Sequence, residues 1–591
     1  ECHAGHRELA RPVWLWKEDD QVNVGNALLS VLPAALLTGL VCLGCDRKPP
    51  PGAQPTESGE GEAPRAGSPV LPKELTPPPV TGPSAGASAA PAPPYTGPWF
   101  AVTSAAAGVY SEPSFDRGKK LGFIRSGGRA PVEAEPASKK NCTGGWYKVR
   151  SGGFVCGNLG TTNLEHPEVK FATAQPNLKE VLPYPYARNA KHGTPLYRSV
   201  PSREQMDLYE PYLKQDAQKA KEKALREPGR AEPSNGNTSS DKDKLDKTET
   251  AIPTAALDAG APLLTPEAVA ALAQGADPEP HKPWWQREDI KDRLHEVKLE
   301  ELSADSDEIL AKRMVTGFYV AVDKTFRWNG RSWYKTTRGL VTPSDRFWQT
   351  SGSSFKGVEL DGTTHKLPIG WVYGGNKVAA TYEIDAGANS IKTGKSIDRF
   401  VAIPLTGKSI EFQGKAYVEL EGGSYMKKGQ LRITEPGPPP EGLLENERYI
   451  DVDISSQTLI AYNGSRPVYA TLISSGKHSK VKEKDHSTPT GEWRIREKHI
   501  TTTMDGDGTA AGDLPYSIED VPFVMYYHRS YALHAAFWHT NFGVQMSHGC
   551  VNLAPLDAKW LFFFAGPALP EGFHGAWSTD AESGSRVVVH D

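Results

Sequence analysis

A thiol and an imidazole in the last tenth of the chain have the spacing of a nucleophile and its base. Cys550 lies in the run Ser-His-Gly-Cys-Val-Asn over residues 547–552, and His534 precedes it by 16 residues. A free cysteine with a pKa of about 8.5 is mostly protonated at neutral pH, so a nearby imidazole is needed to accept its proton. Gly549 lets the backbone N–H groups of residues 549 and 550 approach an acyl oxyanion. The pattern predicts cysteine acyl transfer, with these N–H groups as the oxyanion hole.

The polar neighbours of this pair have predicted roles and offer one rival base. Ser547 is expected to hydrogen-bond within the turn, and His548 either to orient the loop or to contact the substrate carbonyl. His539 is closer in sequence to Cys550 than His534 is, and competes with it as the base. A metal site built from these histidines and the cysteine is a further alternative, but the paired ligand spacings of structural zinc sites are absent. We therefore expect neither a metal ion nor another cofactor.

The first 45 residues are predicted to be an export signal. An apolar run from Ala27 to Leu43 is interrupted by Pro33 and is short for a stable membrane span, and a polar, proline-rich stretch follows it. Leu43-Gly44-Cys45 resembles the lipobox of bacterial lipoproteins, in which the cysteine is acylated and becomes the new N terminus. Cys45 is therefore the predicted lipid anchor. An ordinary cleaved signal or a single anchor helix is the alternative.

The remaining cysteines agree with an oxidising compartment. Three of the six cysteines precede residue 46. Cys142 and Cys156 lie in one compact, strand-rich stretch, and a disulfide between them would close a loop of about 15 residues. Cys550 is then the odd thiol of an exported protein. Catalysis is the best explanation for an unpaired cysteine in that setting.

Composition divides the rest of the chain. Residues 46–98 are rich in Pro, Gly, Ala, Ser and Glu, and are predicted to form a disordered tether because they contain almost no large apolar residues. Residues 215–283 are predicted to be a low-complexity insertion. The Pro-Gly-Pro-Pro-Pro run at residues 436–440 separates the N-terminal modules from a catalytic region at 445–591. A net charge of -4, without a basic stripe interleaved with aromatic residues, argues against nucleic acid as a partner.

Short alternating segments between the tether and the proline cluster predict small β-barrels. In residues 99–165, the runs Gly-Gly-Trp-Tyr-Lys-Val and Gly-Gly-Phe-Val resemble the bacterial SH3-like domains found beside many cell-wall enzymes. The pattern recurs in residues 180–365, around the insertion, and more faintly as a third copy in residues 366–434. Such modules would either bind wall peptide or glycan, or act as spacers that pack against the catalytic domain.

The region at 445–591 opens with alternating segments that predict β-strands over residues 448–473. Gly476, a Thr-Pro-Thr-Gly-Glu-Trp turn at residues 488–493 and the two-part histidine and cysteine motif follow in order. In these features the region resembles the L,D-transpeptidases of bacterial cell-wall synthesis. The resemblance implies a mainly β protein, in which a β-sandwich-like catalytic domain follows SH3-like barrels and disordered linkers. Residues 554–564 are predicted to form an amphipathic helix behind the loop.

The resemblance also implies an activity and a set of site residues. Cys550 would attack the peptide bond after the third residue of a peptidoglycan tetrapeptide stem, release D-Ala and pass the acyl group to an amine. The implied general base is His534, and Asn552, the family's amide alternative to arginine, would contact the donor stem. From their side chains, Met525, Tyr526 and Tyr531 are expected either to line the substrate pocket or, as Met and aromatic residues before a strand more often do, to pack in the core. The acceptor stays open between a second stem, an envelope-protein lysine, a free D-amino acid and water.

A second interpretation belongs to another class. It takes the chain as a wall-binding or scaffold protein whose catalytic domain is vestigial, and the intact pair of Cys550 and His534 argues against it. The favoured interpretation places the protein in the cell envelope or periplasm, attached to a membrane through the lipid anchor. Its expected partners are peptidoglycan stem peptides and envelope proteins that act as acyl acceptors.

Overall fold

The computed structural model describes residues 95–214, 218, 297–304, 307–506 and 515–591. The predicted export signal with its lipobox, the tether before residue 95 and nearly all of the predicted insertion lie outside these residues. Every described residue belongs to a single compact unit. No helix among the described residues is both long and apolar enough to span a membrane.

The first module covers residues 95–170 and is built from short antiparallel strands. They are β1 (Trp99–Val102), β2 (Ala106–Tyr110), β3 (Lys120–Arg125), β4 (Arg129–Pro131), β5 (Trp146–Lys148), β6 (Phe154–Cys156) and β7 (Gly160–Thr161), followed by helix α1 (Pro167–Lys170). Strand β1 pairs with β4 and β7, while β2 pairs with β3 and β6. Their inward residues, among them Phe100, Val109 and Ile124, form one core. Cys142 and Cys156 form the predicted disulfide beside the buried Trp146.

The second module joins chain segments from both sides of the predicted insertion. Its elements are β8 (Tyr186–Asn189), β9 (Thr194–Tyr197), α2 (Arg203–Tyr209), β10 (Leu310–Met314), β11 (Tyr319–Trp328), β12 (Arg331–Thr336), β13 (Val341–Pro343) and β14 (Phe347–Thr350). Strand β9 pairs with β10 and β13, and β8 pairs with β11 and β14. Ala187, Leu196 and Val320 therefore share a single core although the insertion separates them in sequence.

The third module is a seven-stranded antiparallel sheet preceded by a short strand, β15 (Val358–Glu359). Its strands are β16 (Ile369–Val372), β17 (Val378–Asp385), β18 (Ser390–Asp398), β19 (Ala402–Phe412), β20 (Lys415–Leu420), β21 (Tyr425–Lys427) and β22 (Leu431–Thr434). They follow one another in the sheet in the order β18-β17-β21-β20-β19-β16-β22. The buried Trp371 on β16 donates its indole N–H to the Thr434 hydroxyl on β22, which ties the start of the module to its end.

The C-terminal domain is a sandwich of two sheets. Its elements are β23 (Arg448–Asp453), β24 (Thr458–Asn463), β25 (Arg466–Ser474), β26 (Gly491–Arg494), β27 (Glu497–Gly506), β28 (Tyr516–His528), β29 (Tyr531–Ala535), β30 (Val551–Leu553), α3 (Pro555–Phe564), β31 (Gly575–Trp577) and β32 (Arg586–His590). One sheet has the order β25-β24-β23-β32-β26, and the other has the order β25-β30-β29-β28-β27-β31. Strand β25 belongs to both sheets. The predicted mainly β class is confirmed.

The core of this domain lies between the two sheets and helix α3. Ile450 from one sheet, Leu533 from the other and Phe562 from the helix belong to one buried cluster. The predicted helix behind the loop is α3, although it is less amphipathic than expected because even its charged Asp557 is buried.

Each module is attached to the C-terminal domain by strand pairing. Strand β3 of the first module pairs with β31, and β11 of the second pairs with β28. Strand β15, before the third module, pairs with β25. Backbone hydrogen bonds across these pairs make the modules continuous with the catalytic sheets.

Candidate active site

Strands β29 and β30 run parallel and bring the predicted nucleophile and base together. Their register pairs Leu533 with Val551 and His534 with Asn552, so Cys550, one residue before β30, lies next to Ala532. Side chains alternate between the two faces of a sheet, and His534 is two residues from Ala532 along its strand. Cys550 and His534 therefore project from the same face as diagonal neighbours on adjacent strands.

The Cys550 thiol is half-buried and protonated in the resting site. It is the free cysteine among the described residues, and its Sγ lies 3.8 Å from the backbone oxygen of Ser530, to which the thiol donates. Burial raises the pKa of Cys550 to about 11, although a hydrogen bond from the backbone of Ala532 opposes this shift. The site therefore holds a thiol at neutral pH, and the proton must leave when the sulfur attacks.

His534 is held as a neutral imidazole. It is only 2% exposed, and burial lowers its pKa to about 4. Its Nδ1 lies 3.2 Å from the carbonyl oxygen of Ala535, and because a carbonyl only accepts, Nδ1 must carry the proton. Nε2 is then left with its lone pair. This is the tautomer that a general base for a neighbouring thiol requires.

The rival base His539 has other partners. Its Nδ1 accepts from the backbone N–H of Asn541 at 3.3 Å, and its Nε2 lies 3.0 Å from the side-chain amide of Asn552. Asn552 is 2% exposed and its side chain lies against His539, while its contact with the donor stem stays a prediction. Among the described residues, no three His, Cys, Asp or Glu side chains are grouped to hold a metal ion.

The turn before Cys550 depends on glycine and on a serine hydroxyl. Gly549 has φ +116°, and a Cβ there would lie 2.4 Å from the ring of Tyr531, so glycine alone fits. The Gly549 N–H donates to Ser547 Oγ at 3.1 Å, and that hydroxyl donates to the Cys550 carbonyl at 2.5 Å. The predicted turn hydrogen bond of Ser547 is therefore present. The two-donor oxyanion hole is not, because the Gly549 N–H is used within the turn.

The Thr-Pro turn holds the same loop from the other side. Thr488 Oγ1 donates to the Gly549 carbonyl at 2.8 Å and accepts from the Gly476 N–H at 2.8 Å. A Cβ on Gly476 would lie 1.8 Å from the carbonyl oxygen of His486, so this crossing also requires glycine. The turn was predicted from the sequence, but no role was predicted for Thr488. A hydroxyl at that place in the motif was the available signal.

Aromatic rings cover the exposed side of the loop. His548 stacks on Tyr516 at 5.5 Å between ring centroids, and it also contacts His486 at 4.6 Å. Tyr516 lies close enough to Cys550 for the two groups to interact electrostatically. No sequence motif indicated Tyr516, because it opens strand β28 far from the cysteine in sequence. The role of His548 in carbonyl contact remains a prediction.

The three predicted pocket residues divide between two faces of the sheet. Tyr526 and Tyr531 are half-buried; Tyr526 pairs with Ala532 beside Cys550, whereas Tyr531 packs against the core cluster and the Gly549 turn. Met525 is 0% exposed and packs in the core cluster, so the prediction that it lines the pocket is wrong. The reason is the alternation along β28, which turns residue 525 to the face opposite residue 526.

The second and third modules brace the segment between His534 and Cys550. The ring of Phe537 stacks on Tyr186 of the second module at 4.1 Å. The Gly543 carbonyl accepts from Arg432 Nε of the third module at 2.7 Å, and Tyr373 packs against this glycine. These supports join residues that are distant in sequence, so local patterns did not reveal them.

Comparison with known proteins identifies the C-terminal domain. Residues 447–589, about a quarter of the chain, match the family model described as YkuD, L,D-transpeptidase catalytic domain. No curated protein matches the chain. The predictions of an L,D-transpeptidase catalytic domain and of an enzyme are confirmed for this part of the chain.

Several solved L,D-transpeptidase structures are similar to this chain. The protein from Xylanimonas cellulosilytica DSM 15894 is 18% identical over 26% of this chain and 65% of its own, with a TM-score of 0.18. The catalytic domain from E. faecium is 23% identical over 24% of this chain and 98% of its own, with a TM-score of 0.19. The protein from Mycobacterium tuberculosis H37Rv is 17% identical over 36% of this chain and 77% of its own, with a TM-score of 0.18. This chain thus spans just under two thirds of the first of these proteins.

Proposed function

We propose that the protein is a peptidoglycan L,D-transpeptidase that uses Cys550 as its nucleophile. The observation that carries this proposal is the register of β29 and β30, which sets Cys550 and a neutral His534 on one face of an L,D-transpeptidase catalytic domain. In the proposed reaction a tetrapeptide stem is the acyl donor and D-Ala is the leaving group. An amine then takes the acyl group.

Cys550 and His534 together account for each bond change and proton transfer in the proposed reaction. His534 Nε2 takes the thiol proton as Cys550 Sγ attacks the donor carbonyl, and the oxyanion forms beside the Cys550 N–H. The C–N bond breaks, and the imidazolium returns its proton to the D-Ala amine, which leaves a thioester. The acceptor amine then attacks the thioester and gives its proton to His534; the C–S bond breaks, and the imidazolium returns this proton to the sulfur, which leaves as the Cys550 thiol. His534 is thus neutral before each attack and cationic between proton transfers.

A site in which burial sets the pKa values of both side chains favours this order of events. A neutral imidazole beside a neutral thiol avoids separated charges in a poorly solvated space, where they would be costly. The Ala535 carbonyl accepts the Nδ1–H and stabilises the imidazolium when it forms. The pair therefore acts by general-base catalysis during attack, without a standing thiolate.

The N-terminal region adds proposals of its own. The modules resemble SH3-like domains, and all three are attached to the catalytic sheets. Both observations favour modules that hold the catalytic domain in place, in addition to any contact that they make with wall glycan. We further propose a location in the cell envelope, with Cys45 as a lipid anchor. Labelling with palmitate analogues tests that anchor, and a signal that survives Cys45→Ser would contradict it.

Mass spectrometry of a purified disaccharide-tetrapeptide with the wild type, Cys550→Ala and His534→Gln tests the activity. We expect an acyl-enzyme and free D-Ala with the wild type, none with Cys550→Ala, and a loss of at least about 100-fold with His534→Gln. D-Ala release that persists without the thiol would refute the proposal. Separate reactions with a second stem, a lysine peptide, a D-amino acid and water then identify the acceptor.

A further inference from the structure

A strip of half-buried side chains leads from Cys550 across the sheet to the first module. The register pairs Ala532 with Tyr526, Tyr526 with Glu497, and Glu497 with Trp577, so these side chains lie in one row on the face that carries the thiol. Tyr526, Glu497 and Trp577 are all half-buried rather than covered by the core. The row is therefore a partly open surface that begins at the nucleophile.

The far end of this strip carries a lysine from the first module. Lys120 Nζ lies 4.2 Å from the centroid of the Trp577 ring, so the ammonium group stacks on the indole. Strand β3, which begins at Lys120, pairs with β31, which ends at Trp577. The docking of the module therefore fixes the place of this cation relative to Cys550.

The charge of Lys120 is not neutralised by an ion pair. Within the part of the chain that the structure describes, no carboxylate lies within ion-pair distance of its Nζ. The carboxylate that acts on Lys120 electrostatically is Glu497, which also lies 3.9 Å from Arg496 and 3.5 Å from the His499 ring. Burial lowers the pKa of Lys120, and the attraction of Glu497 only partly opposes this shift, so the ammonium has lost more solvation than that carboxylate restores. An incoming carboxylate would replace that lost solvation.

Lys119, next to Lys120 in the sequence, has a different electrostatic environment. Lys119 is exposed and forms an ion pair with Glu112 at 3.1 Å, so its charge is already satisfied at the surface. The two lysines are adjacent in sequence and carry the same charge, but Lys119 ends the turn before β3 whereas Lys120 begins β3. Lys119 is therefore a matched control for Lys120.

We propose that Lys120 and Trp577 bind a carboxylate of an acidic peptide that serves as the acyl acceptor and lies extended along the strip. This inference rests on the proposed function and narrows its acceptor to a peptide. Four strand spacings separate Cys550 from Trp577, which is about 19 Å, or roughly six residues of extended chain. Water or a free amino acid would not reach both points, whereas a peptide with an amine at one end and a carboxylate about six residues away would.

A series of synthetic acceptors tests the spacing. Each peptide has an amino-terminal glycine and a single Glu at position 2 or position 6, and each is matched by the same peptide with Gln. With the wild type and the tetrapeptide donor, we expect the peptide with Glu at position 6 to have a KM about tenfold lower than the same peptide with Gln. The Glu and Gln peptides at position 2 should have equal KM values. The preference should vanish in Lys120→Gln, persist in Lys119→Gln and be retained in Lys120→Arg.

Two further measurements separate this inference from the activity itself. D-Ala release without an acceptor should be the same in Lys120→Gln, Lys119→Gln and the wild type, because the donor half-reaction does not involve the strip. Binding of the acceptor peptides to the Cys550→Ala protein by titration calorimetry should show the same Glu preference without catalysis. Normal D-Ala release with no Glu preference, or a preference that Lys120→Gln keeps, overturns the inference alone. Absent acyl-enzyme formation overturns the proposed function instead.

Discussion

The ring of Tyr186, in the second module, stacks on the ring of Phe537 with 4.1 Å between the ring centroids. Phe537 lies three residues after the base His534. Tyr186 also donates its hydroxyl to the Asp520 carbonyl at 2.5 Å, and it is 1% exposed. The module thus reaches the segment that leads from the base to the nucleophile. An aromatic pair of this kind contributes about 0.5–1.5 kcal/mol beyond its buried area.

Removal of that ring should slow catalysis more than it weakens substrate binding. We expect Tyr186→Ala to lower kcat for D-Ala release about tenfold with little change in KM, because the segment after His534 loses its support. Tyr186→Phe keeps the stack and loses only the hydroxyl, so it should retain most of kcat. Thermal unfolding must show that Tyr186→Ala is folded at the assay temperature, since the cavity alone removes about 3 kcal/mol. An unchanged kcat in folded Tyr186→Ala protein would contradict the proposal that Tyr186 supports the segment after His534.

The protonation states of the catalytic pair predict an unusual pH profile. His534 has a pKa of about 4 and is an active base only above it, so the rate of acylation should fall below about pH 4 rather than near pH 6.5. Cys550 has a pKa of about 11, so its alkylation by iodoacetamide should rise about tenfold per pH unit up to that value.

The modified peptide must be identified by mass, with Cys550→Ala as the unlabelled control. A plateau in the alkylation rate near pH 7 would show a standing thiolate and contradict the neutral pair.

Gly549→Ala should inactivate the enzyme without unfolding it. The new methyl group would meet the Tyr531 ring at 2.4 Å, and φ +116° is unfavourable for alanine. We expect at least a 100-fold loss of D-Ala release, with Tm lowered by only a few degrees because the strain is confined to one turn and removes no side chain from the core between the sheets.

The double variant Tyr531→Ala with Gly549→Ala removes the clash but leaves the backbone strain. It should recover part of the activity lost in the single variant. Recovery to the level of Tyr531→Ala alone would show that the backbone conformation of residue 549 is unimportant.

Asp557, at the start of α3, makes the free energy of unfolding of the domain depend on pH. It is buried and accepts from the hydroxyls of Tyr469 and Thr471 at 2.7 and 2.5 Å and from the Gly357 N–H at 2.8 Å. Burial raises its pKa to about 6. Because the folded state then binds the proton more tightly than the unfolded state, this group favours folding at low pH. Its contribution falls as the pH rises from about 4 to 6 and is constant above that.

Chemical denaturation at pH 4 and pH 7 measures this effect. A shift of about two pKa units corresponds to about 3 kcal/mol, so the wild type should lose up to that amount relative to Asp557→Asn across this range. Asp580→Asn, at an exposed position, is the control and should follow the wild type. Parallel pH dependence in the wild type and Asp557→Asn would contradict the assignment.

Local patterns in the sequence predicted the parts of the site that short-range chemistry specifies. The spacing of His534 and Cys550 follows from two strands and one loop, and the need for glycine at 549 follows from its turn. The fate of the Gly549 N–H could not be predicted, because the Ser547 hydroxyl competes with a substrate oxyanion for the same donor. The SH3-like identity of the modules stays a prediction.

Two other features depended on the tertiary structure. Strand β28 is covered on both faces, so alternation alone did not show that Met525 faces the core and Tyr526 faces Cys550. Tyr186 and Arg432 support the catalytic segment from several hundred and about one hundred residues away, and nothing in their local sequence indicates a partner. Contacts of that kind are set by how the modules dock.

The pairing of β3 with β31 and of β15 with β25 also protects the catalytic domain from self-association. An unpaired edge strand offers a row of free N–H and C=O groups on which a second molecule can add its own strand. In this chain β3 of the first module and β15, before the third module, lie along β31 and β25, two of the edges of the catalytic sheets. Excision of residues 447–589 as a separate fragment would expose the two edges together, and the fragment would tend to aggregate even where its own core folds correctly.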